Sequence, residues 1–247
     1  MQGELEAAVE RLTQAHRRVV GAGRTDRGVH AVGQVAAVRL PARWTPQAFR
    51  KAMNAVLPGD VWVESTRRVP LAFHPVRHAV ARTYEYRLGL EEESASPFHR
   101  PYCWAMDRRV SEAALHALSQ QIVGEHSFRA FAKSGQPQRG DRCEVTEAGW
   151  WPWEGLGLRF TITANRFLHH MVRYLVGTMV EAAGGRRPME DIPSMLAPEG
   201  RVPQTSPPAP PEGLFLRRVE YPPTVLDLQE ARETDAPEVA PPRGPES

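Results

Sequence analysis

Hydrophobic and polar positions recur along the chain with two periods, which predict helices and strands. Apolar residues recur at helical spacing from Glu4 to Arg18, so this stretch is predicted to form an amphipathic helix. Further helices are expected after the capping residues Thr45, Ser111 and Asn165. The helix after Asn165 is expected to cover residues 166–183.

Period-two alternation predicts the strands. Residues 80–88 alternate along their whole length, which places Tyr84 and Tyr86 on one face of a strand. The other predicted strands cover residues 34–40, 61–67, 144–151, 158–164 and 214–221. Strands and helices alternate in two similar blocks, and this order predicts an α+β fold in which helices cover the faces of a sheet.

Two segments are rich in residues that disfavour regular structure. Residues 203–211 include five prolines and are predicted to form an extended surface loop. Residues 224–247 contain six acidic and two basic residues together with several prolines. This composition predicts a disordered acidic tail.

The overall composition is that of a folded globular protein, with 41% hydrophobic and 24% charged residues. No apolar run approaches the roughly 18 residues of a membrane span. Nothing near Met1 resembles a secretory leader, and we therefore expect a cytoplasmic protein that does not bind membranes. The two cysteines, Cys103 and Cys143, lack paired spacing, which argues against a disulfide framework or a zinc ribbon.

The formal net charge of +2 is unevenly distributed. The predicted tail carries a net charge of −4, so the preceding 223 residues carry +6. Only Lys51 and Lys133 are lysines among 31 basic residues, and the others are arginines, which suit phosphate contacts and base stacking. An RNA ligand would account for this excess, and so would a compositional bias of the source genome.

A glycine-punctuated loop contains the best candidate for catalysis. Asp26 lies between Gly23 and Gly28, where a carboxylate can approach a ligand without crowding from neighbouring side chains. Alternatively, Asp26 is a turn residue that caps its own backbone.

The other residue types that carry chemistry give weaker signals. His30, His169 and His170 lack a metal-binding spacing, and Arg173, one helical turn after His169, would oppose a cation. We therefore predict no metal site and expect His169 to pack or to contact phosphate. Neither cysteine has an activating motif, and the chain lacks a Walker loop and a dinucleotide fingerprint, so no nucleotide cofactor is expected.

Several segments together resemble one known family, the bacterial tRNA pseudouridine synthase A (TruA) family. The most specific segment is residues 23–35, GRTDRGVHAVGQV. The shorter segments are ARTYEY at 81–86, HSFRAF at 126–131, NRFLHHMVR at 165–173 followed by Val176-Gly177, and EGLFL at 212–216 before Tyr221. The resemblance thus extends from Gln2 to about Tyr221.

The resemblance implies a pseudouridine synthase fold, with two similar α/β halves that share a mainly antiparallel sheet. The halves are expected at residues 1–76 and 77–223, ahead of the tail at 224–247. The implied activity is the isomerisation of uridine to pseudouridine at positions 38 to 40 of the tRNA anticodon stem-loop. It requires neither metal nor cofactor, and the implied enzyme is a homodimer.

The same resemblance assigns roles to individual residues. It implies that Asp26 is catalytic, that Arg24 helps to displace the target base and that Tyr84 stacks on that base. Arg173 is expected to pair with Asp26, because a close charge pair keeps a carboxylate oriented. Phe128 and Phe131 are expected in the core rather than on an RNA-binding surface.

The chain departs from the family pattern in two places. Arg27 follows Asp26 where family members have a small residue, which adds a positive charge beside the expected site. Family members also begin with a strand ahead of the segment that corresponds to Gln2–Leu5, so we expect that the first strand is missing and that the true start lies upstream. Two alternative functions remain: a catalytically silent RNA-binding protein of the same fold, and a metal-dependent RNA hydrolase that uses Asp26 and the histidines.

Overall fold

The computed structural model describes residues 1–133, 140–197 and 203–227. The chain packs as two compact units. One contains Met1–Gly21, Ala36–His78 and the described end of the chain from Tyr221, and the other contains Ala22–Val35 and Ala79–Glu220. The predicted acidic tail lies outside the described residues from 228 onward. No helix in the described part of the chain is long and apolar enough to cross a membrane.

Five α-helices and nine β-strands form the regular structure of the described residues. The helices are α1 (Gln2–Thr13), α2 (Pro46–Val56), α3 (Glu112–Gln121), α4 (Met171–Ala183) and α5 (Asp191–Leu196). The strands are β1 (Val19–Gly21), β2 (His30–Ala31), β3 (Ala36–Val38), β4 (Ala81–Gly89), β5 (Trp104–Ala105), β6 (Gly124–Ser127), β7 (Arg142–Trp153), β8 (Gly157–Ala164) and β9 (Leu214–Glu220).

In the first unit, α1 and α2 bury an apolar cluster with the antiparallel pair β1–β3. Helix α2 begins as predicted, since the Thr45 side chain accepts a hydrogen bond from the Ala48 N–H at 3.2 Å. Helix α1 is shorter than predicted. It ends at Thr13 rather than near Arg18, because Gln14 takes a left-handed conformation with φ 55° that ends the helix.

The strand predicted at residues 61–67 does not form. The backbone of Val63, within this stretch, forms hydrogen bonds with a side chain instead of with a neighbouring strand. The side-chain oxygen of Asn54 accepts from the Val63 N–H at 2.8 Å, and the Asn54 amide donates to the Val63 carbonyl at 2.9 Å. The prediction of a strand there was therefore wrong.

The second unit is built on a seven-stranded, mostly antiparallel sheet. Six strands follow the order β2-β9-β4-β8-β7-β6, and the seventh, β5, pairs with β4. The β2–β9 and β4–β5 pairs are parallel, and the other pairs are antiparallel. Helices α3, α4 and α5 pack into its core, which includes the fully buried Phe128 and Phe131. The predicted α+β class and the predicted core positions of both phenylalanines are confirmed.

Helix α4 begins five residues later than predicted. Asn165 does not cap it, because its side-chain oxygen accepts a hydrogen bond from the Glu144 N–H on β7 at 3.1 Å. His170, directly before the helix, has a left-handed backbone with φ 65° and ψ 4°. The helix therefore begins at Met171, and the prediction that it begins at Arg166 was wrong for residues 166–170.

The proline-rich segment 203–211 lacks strands and α-helices, in agreement with the prediction of an extended loop. The prediction that the whole segment lies on the surface was wrong. Ser206 and Ala209 are buried, and Ala209 exchanges backbone and side-chain hydrogen bonds with α4. The Ala209 N–H donates to the Arg173 carbonyl at 2.9 Å, and the Ala209 carbonyl accepts from Arg173 Nε at 2.7 Å. These bonds attach the segment to the helix.

Candidate active site

The loop that carries Asp26 is fixed at both ends. At its base, the Ala22 N–H donates to the Val35 carbonyl at 2.8 Å. Its far side forms β2, which pairs His30 with Phe215 and Ala31 with Leu216 of β9. The loop is therefore tied into the main sheet of the second unit.

The turn after Asp26 depends on glycine geometry. The Val29 N–H donates to the Asp26 carbonyl at 3.1 Å, which closes a tight turn. Gly28 in this turn has φ 85°, a conformation that favours glycine. A side chain at Gly28 would also meet Pro211, 3.0 Å away. The backbone thus holds Asp26 at a defined position.

The Asp26 carboxylate contacts three residues at the start of α4. Arg173 Nη1 donates to Oδ2 at 3.2 Å, His170 Nε2 lies 3.0 Å from Oδ2, and His169 Nε2 lies 3.3 Å from Oδ1. The carboxylate therefore occupies the N-terminal end of a helix, where the backbone dipole favours negative charge.

Arg173 is held in place from two directions. Its Nε donates to the carbonyl of Ala209 while its Nη1 donates to Asp26, and its side chain is only 12% exposed. The structure thus brings together an aspartate and an arginine that are 147 positions apart and that were expected to pair.

The two histidines were not recognised as neighbours of Asp26 from the sequence. Both histidines precede α4, so His169 does not lie on a helix face with Arg173, contrary to expectation. His169 and Arg173 nevertheless both contact the Asp26 carboxylate. Burial lowers the pKa of His170, and the Asp26 charge opposes that shift. A neutral His170 ring at neutral pH is the consequence.

Asp26, His169 and His170 also offer one ligand atom each, all within 4.8 Å of one another. Two histidines and a carboxylate form a donor set that suits transition metals. The Arg173 guanidinium occupies the same carboxylate, however, and its charge competes with a bound cation.

Tyr84 lies on β4 with its ring edge-on to Phe167, at 4.9 Å between ring centroids. The side chain is partly buried. Burial raises the pKa of its phenol, Arg82 lowers it, and the negative charge of Asp26 raises it further. Tyr84 is thus protonated at neutral pH and lies within electrostatic reach of Asp26.

Arg24 and Arg27 flank Asp26 on its loop, and both are exposed. Within the part of the chain that the structure describes, neither of them has a hydrogen-bond or ion-pair partner. The structure therefore does not bring Arg24 into contact with Asp26, Tyr84 or Arg173. It leaves two solvent-facing guanidinium groups beside the carboxylate.

The fold and this site define the class of the protein, and comparison with known sequences agrees. The model of a family described as tRNA pseudouridine synthase matches residues 1–78 and 118–222. The chain belongs to this family. Asp26 and Arg173 lie within the matched ranges, and Tyr84 lies between them.

Individual relatives carry a more specific name, tRNA pseudouridine synthase A. The protein of that name from Chlorobium luteolum is 37% identical over 222 residues, which are 90% of this chain and 86% of the relative. The one from Roseiflexus sp. is 38% identical over 230 residues, covering 90% and 82%. The one from Afipia carboxidovorans is 39% identical over 228 residues, covering 90% and 89%.

Proposed function

We propose that this protein isomerises uridine to pseudouridine in tRNA. The observation that carries the proposal is the Asp26 carboxylate, held by Arg173 within a chain that belongs to the tRNA pseudouridine synthase family. The relatives named tRNA pseudouridine synthase A match nine-tenths of the chain. Their name supplies the substrate class.

The reaction moves one bond of the nucleoside. The C1′–N1 bond breaks, the freed uracil turns, and a C1′–C5 bond forms. C5 then loses its hydrogen as a proton, N1 gains a proton, and no atom is lost overall. In this proposal Asp26 either attacks the nucleoside or takes a proton from it, and the freed base must be retained in the site until it is rejoined.

The neighbouring residues have separate roles in the proposal. Tyr84 stacks on the flipped base, while Arg24 helps to displace it from the helix stack, which offsets an unstacking cost of a few kcal/mol. Arg173 orients the Asp26 carboxylate. The solvent-facing Arg27 adds a further positive charge for the RNA backbone.

We place the target uridines at positions 38 to 40 of the anticodon stem-loop and expect a cytoplasmic homodimer. Both expectations rest on the family resemblance. Sedimentation at micromolar concentration tests the dimer, and a monomer would contradict it. A tRNA with cytidine at positions 38 to 40 tests the sites, because it should remain unmodified.

The activity is tested with tRNA that carries tritium at C5 of its uridines. Formation of the C1′–C5 bond must release tritium into water, so the wild-type protein should release it and pseudouridine should map to the released positions. The Asp26→Asn variant is the matched control. Binding of tRNA without tritium release would instead indicate a catalytically silent RNA-binding protein.

The hydrolase alternative predicts a different outcome. A metal-dependent hydrolase that uses Asp26 and the histidines would cut the RNA, and EDTA would stop it. We expect intact tRNA and an activity that EDTA does not change, provided that other salts maintain the RNA fold. Cleavage that zinc restores after EDTA would contradict the proposal.

A further inference from the structure

His170 has a backbone conformation that is uncommon for residues other than glycine. Its φ of 65° lies in the left-handed region, which side chains with a Cβ adopt at a cost. His170 is not at an exposed turn, since its side chain is only 17% exposed and its carbonyl accepts from the Tyr174 N–H at 3.0 Å. Strain of this kind persists where the surrounding structure holds it, and it concentrates at functional sites.

The strained residue contacts the reacting group of the proposed enzyme. His170 Nε2 lies 3.0 Å from Asp26 Oδ2, the same oxygen that accepts from Arg173. The contact with Arg173 is a hydrogen bond, and the contact with His170 is a close approach of two polar atoms. Two nitrogen atoms from mostly buried side chains therefore approach the same oxygen.

The other carboxylate oxygen is less restricted. Among the described residues, His169 is the one ion-pair partner of Oδ1, at 3.3 Å, and the His169 side chain is 41% exposed. The side chains that contact Oδ2 are less exposed: Arg173 is 12% exposed and His170 is 17% exposed. The carboxylate is thus fixed through one oxygen, while the other faces the more open side of the site.

We infer that His170 is a positioning residue, which with Arg173 fixes Oδ2 of Asp26 so that Oδ1 is presented to the nucleoside. The inference deepens the proposed function and rests on it for the identity of the reaction. It assigns the left-handed conformation of His170 to catalysis rather than to folding.

The experiment replaces His170 with glycine, which adopts φ 65° without strain but lacks the ring. The melting temperature should stay equal or rise, whereas kcat for tritium release should fall by about tenfold to 100-fold, the range that misplaced catalytic groups cause. KM for tRNA should change little. Added imidazole should restore part of kcat, because it can occupy the space of the missing ring.

The matched control is Glu154→Gly in the β7–β8 turn. Glu154 is also left-handed, with φ 46°, but it lies at the opposite end of β8 from Asn165 and the site. Its replacement should relieve strain and leave kcat unchanged. Should His170→Gly fold poorly, His170→Asn provides a second variant, because asparagine tolerates the left-handed region.

Crystal structures of the wild type and His170→Gly provide a second test, which needs no RNA. The Asp26 carboxylate should rotate or occupy two positions in the variant. An unmoved carboxylate would overturn the inference, as would a wild-type kcat or a loss of activity that follows a lower melting temperature and resists imidazole. If wild-type protein releases no tritium, the proposed function fails, and the crystal structures still decide the positioning role.

Discussion

Arg173 Nη1 donates to Asp26 Oδ2 at 3.2 Å, while Nε of the same guanidinium donates to the Ala209 carbonyl at 2.7 Å. One planar group thus joins the Asp26 loop, helix α4 and the proline-rich segment. Only arginine can do this, because its N–H groups point in fixed, separate directions.

Arg173→Lys should therefore be damaging although it keeps the charge. A single ammonium cannot reproduce both directions, so we expect kcat to fall by about tenfold or more and stability to fall by about 1–3 kcal/mol, as for other charged hydrogen bonds. Steady-state kinetics and chemical denaturation measure the two effects. Arg142→Lys is the control, since its pair with Glu125 is 60% exposed on both sides and should change stability by less than about 1 kcal/mol. Equal behaviour of both variants would contradict the role given to Arg173.

Asp26→Asn should separate catalysis from binding. The amide has nearly the shape of the carboxylate but is neither a nucleophile nor a base, so tritium release should fall to background. Affinity for tRNA should fall by less than about tenfold, because phosphate contacts supply most of the binding free energy. Filter binding at fixed salt measures the affinity. Undiminished turnover would refute the assignment of Asp26.

Tyr84 should act mainly through its ring. Stacking of an aromatic side chain on a base contributes about 1–3 kcal/mol, so Tyr84→Ala should lower kcat/KM by roughly fivefold to 150-fold. Tyr84→Phe keeps the ring and its edge contact with Phe167, and should retain most of the activity. The melting temperatures of both variants separate packing from catalysis. If both lose activity equally, the hydroxyl is the essential group.

The sequence predicted the parts of this site that depend on local signals. Residues 23–35 identified the Asp26 loop, and Thr45 and Ser111 each cap a helix as expected, with hydrogen bonds of 3.2 Å to the backbone. Alternation also identified β4 with both tyrosines. Each of these features follows from residues that are close together in sequence.

Features that depend on distant partners could not be predicted. Asn165 has the residue type of a helix cap, but its side chain accepts a hydrogen bond from Glu144, which lies on a strand 21 positions away. Asn54 likewise satisfies the backbone of Val63, where an apolar pattern favoured a strand. The contact of His170 with Asp26 spans 144 positions and needs a left-handed residue that no local pattern indicates.

The two cysteines should be unreactive in the folded protein. Burial raises the pKa of Cys143 to about 11 and also raises that of Cys103. At pH 8 only about one Cys143 in a thousand is then a thiolate, the reactive form. Ellman's reagent should therefore detect neither cysteine until the protein is unfolded. Rapid reaction of native protein at pH 8 would contradict this expectation.

The raised pKa of Cys143 also makes the stability of the folded protein depend on pH. The pKa is higher in the folded state than in the unfolded chain, so the folded state binds the proton more tightly. The stabilisation is complete below pH 9 and is lost as the pH rises towards 11. The melting temperature of Cys143→Ala should therefore change less over this pH range than that of the wild type.

Gly177 should be intolerant of even a methyl group. It lies within α4, where a Cβ would come 2.3 Å from the Pro207 carbonyl oxygen and 3.3 Å from the Ala209 nitrogen. Backbone atoms cannot rotate away as a flexible side chain can, so Gly177→Ala must push the proline-rich segment off the helix. We expect a loss of about 1–3 kcal/mol in the free energy of unfolding, as for other overpacked cores.

The same displacement should reach the contact between Arg173 and Asp26, because the Ala209 carbonyl holds Arg173 one helical turn away. Activity of Gly177→Ala should therefore fall even at temperatures where the variant remains folded. The control is Gly3→Ala in α1, where the added carbon has no described atom within 4 Å apart from its chain neighbours and the helix backbone, and where alanine should cause no loss of stability. Circular dichroism melts and tritium release on both variants decide the matter. A Gly177→Ala protein as stable and active as wild type would show that the segment 203–211 does not hold Arg173 in place.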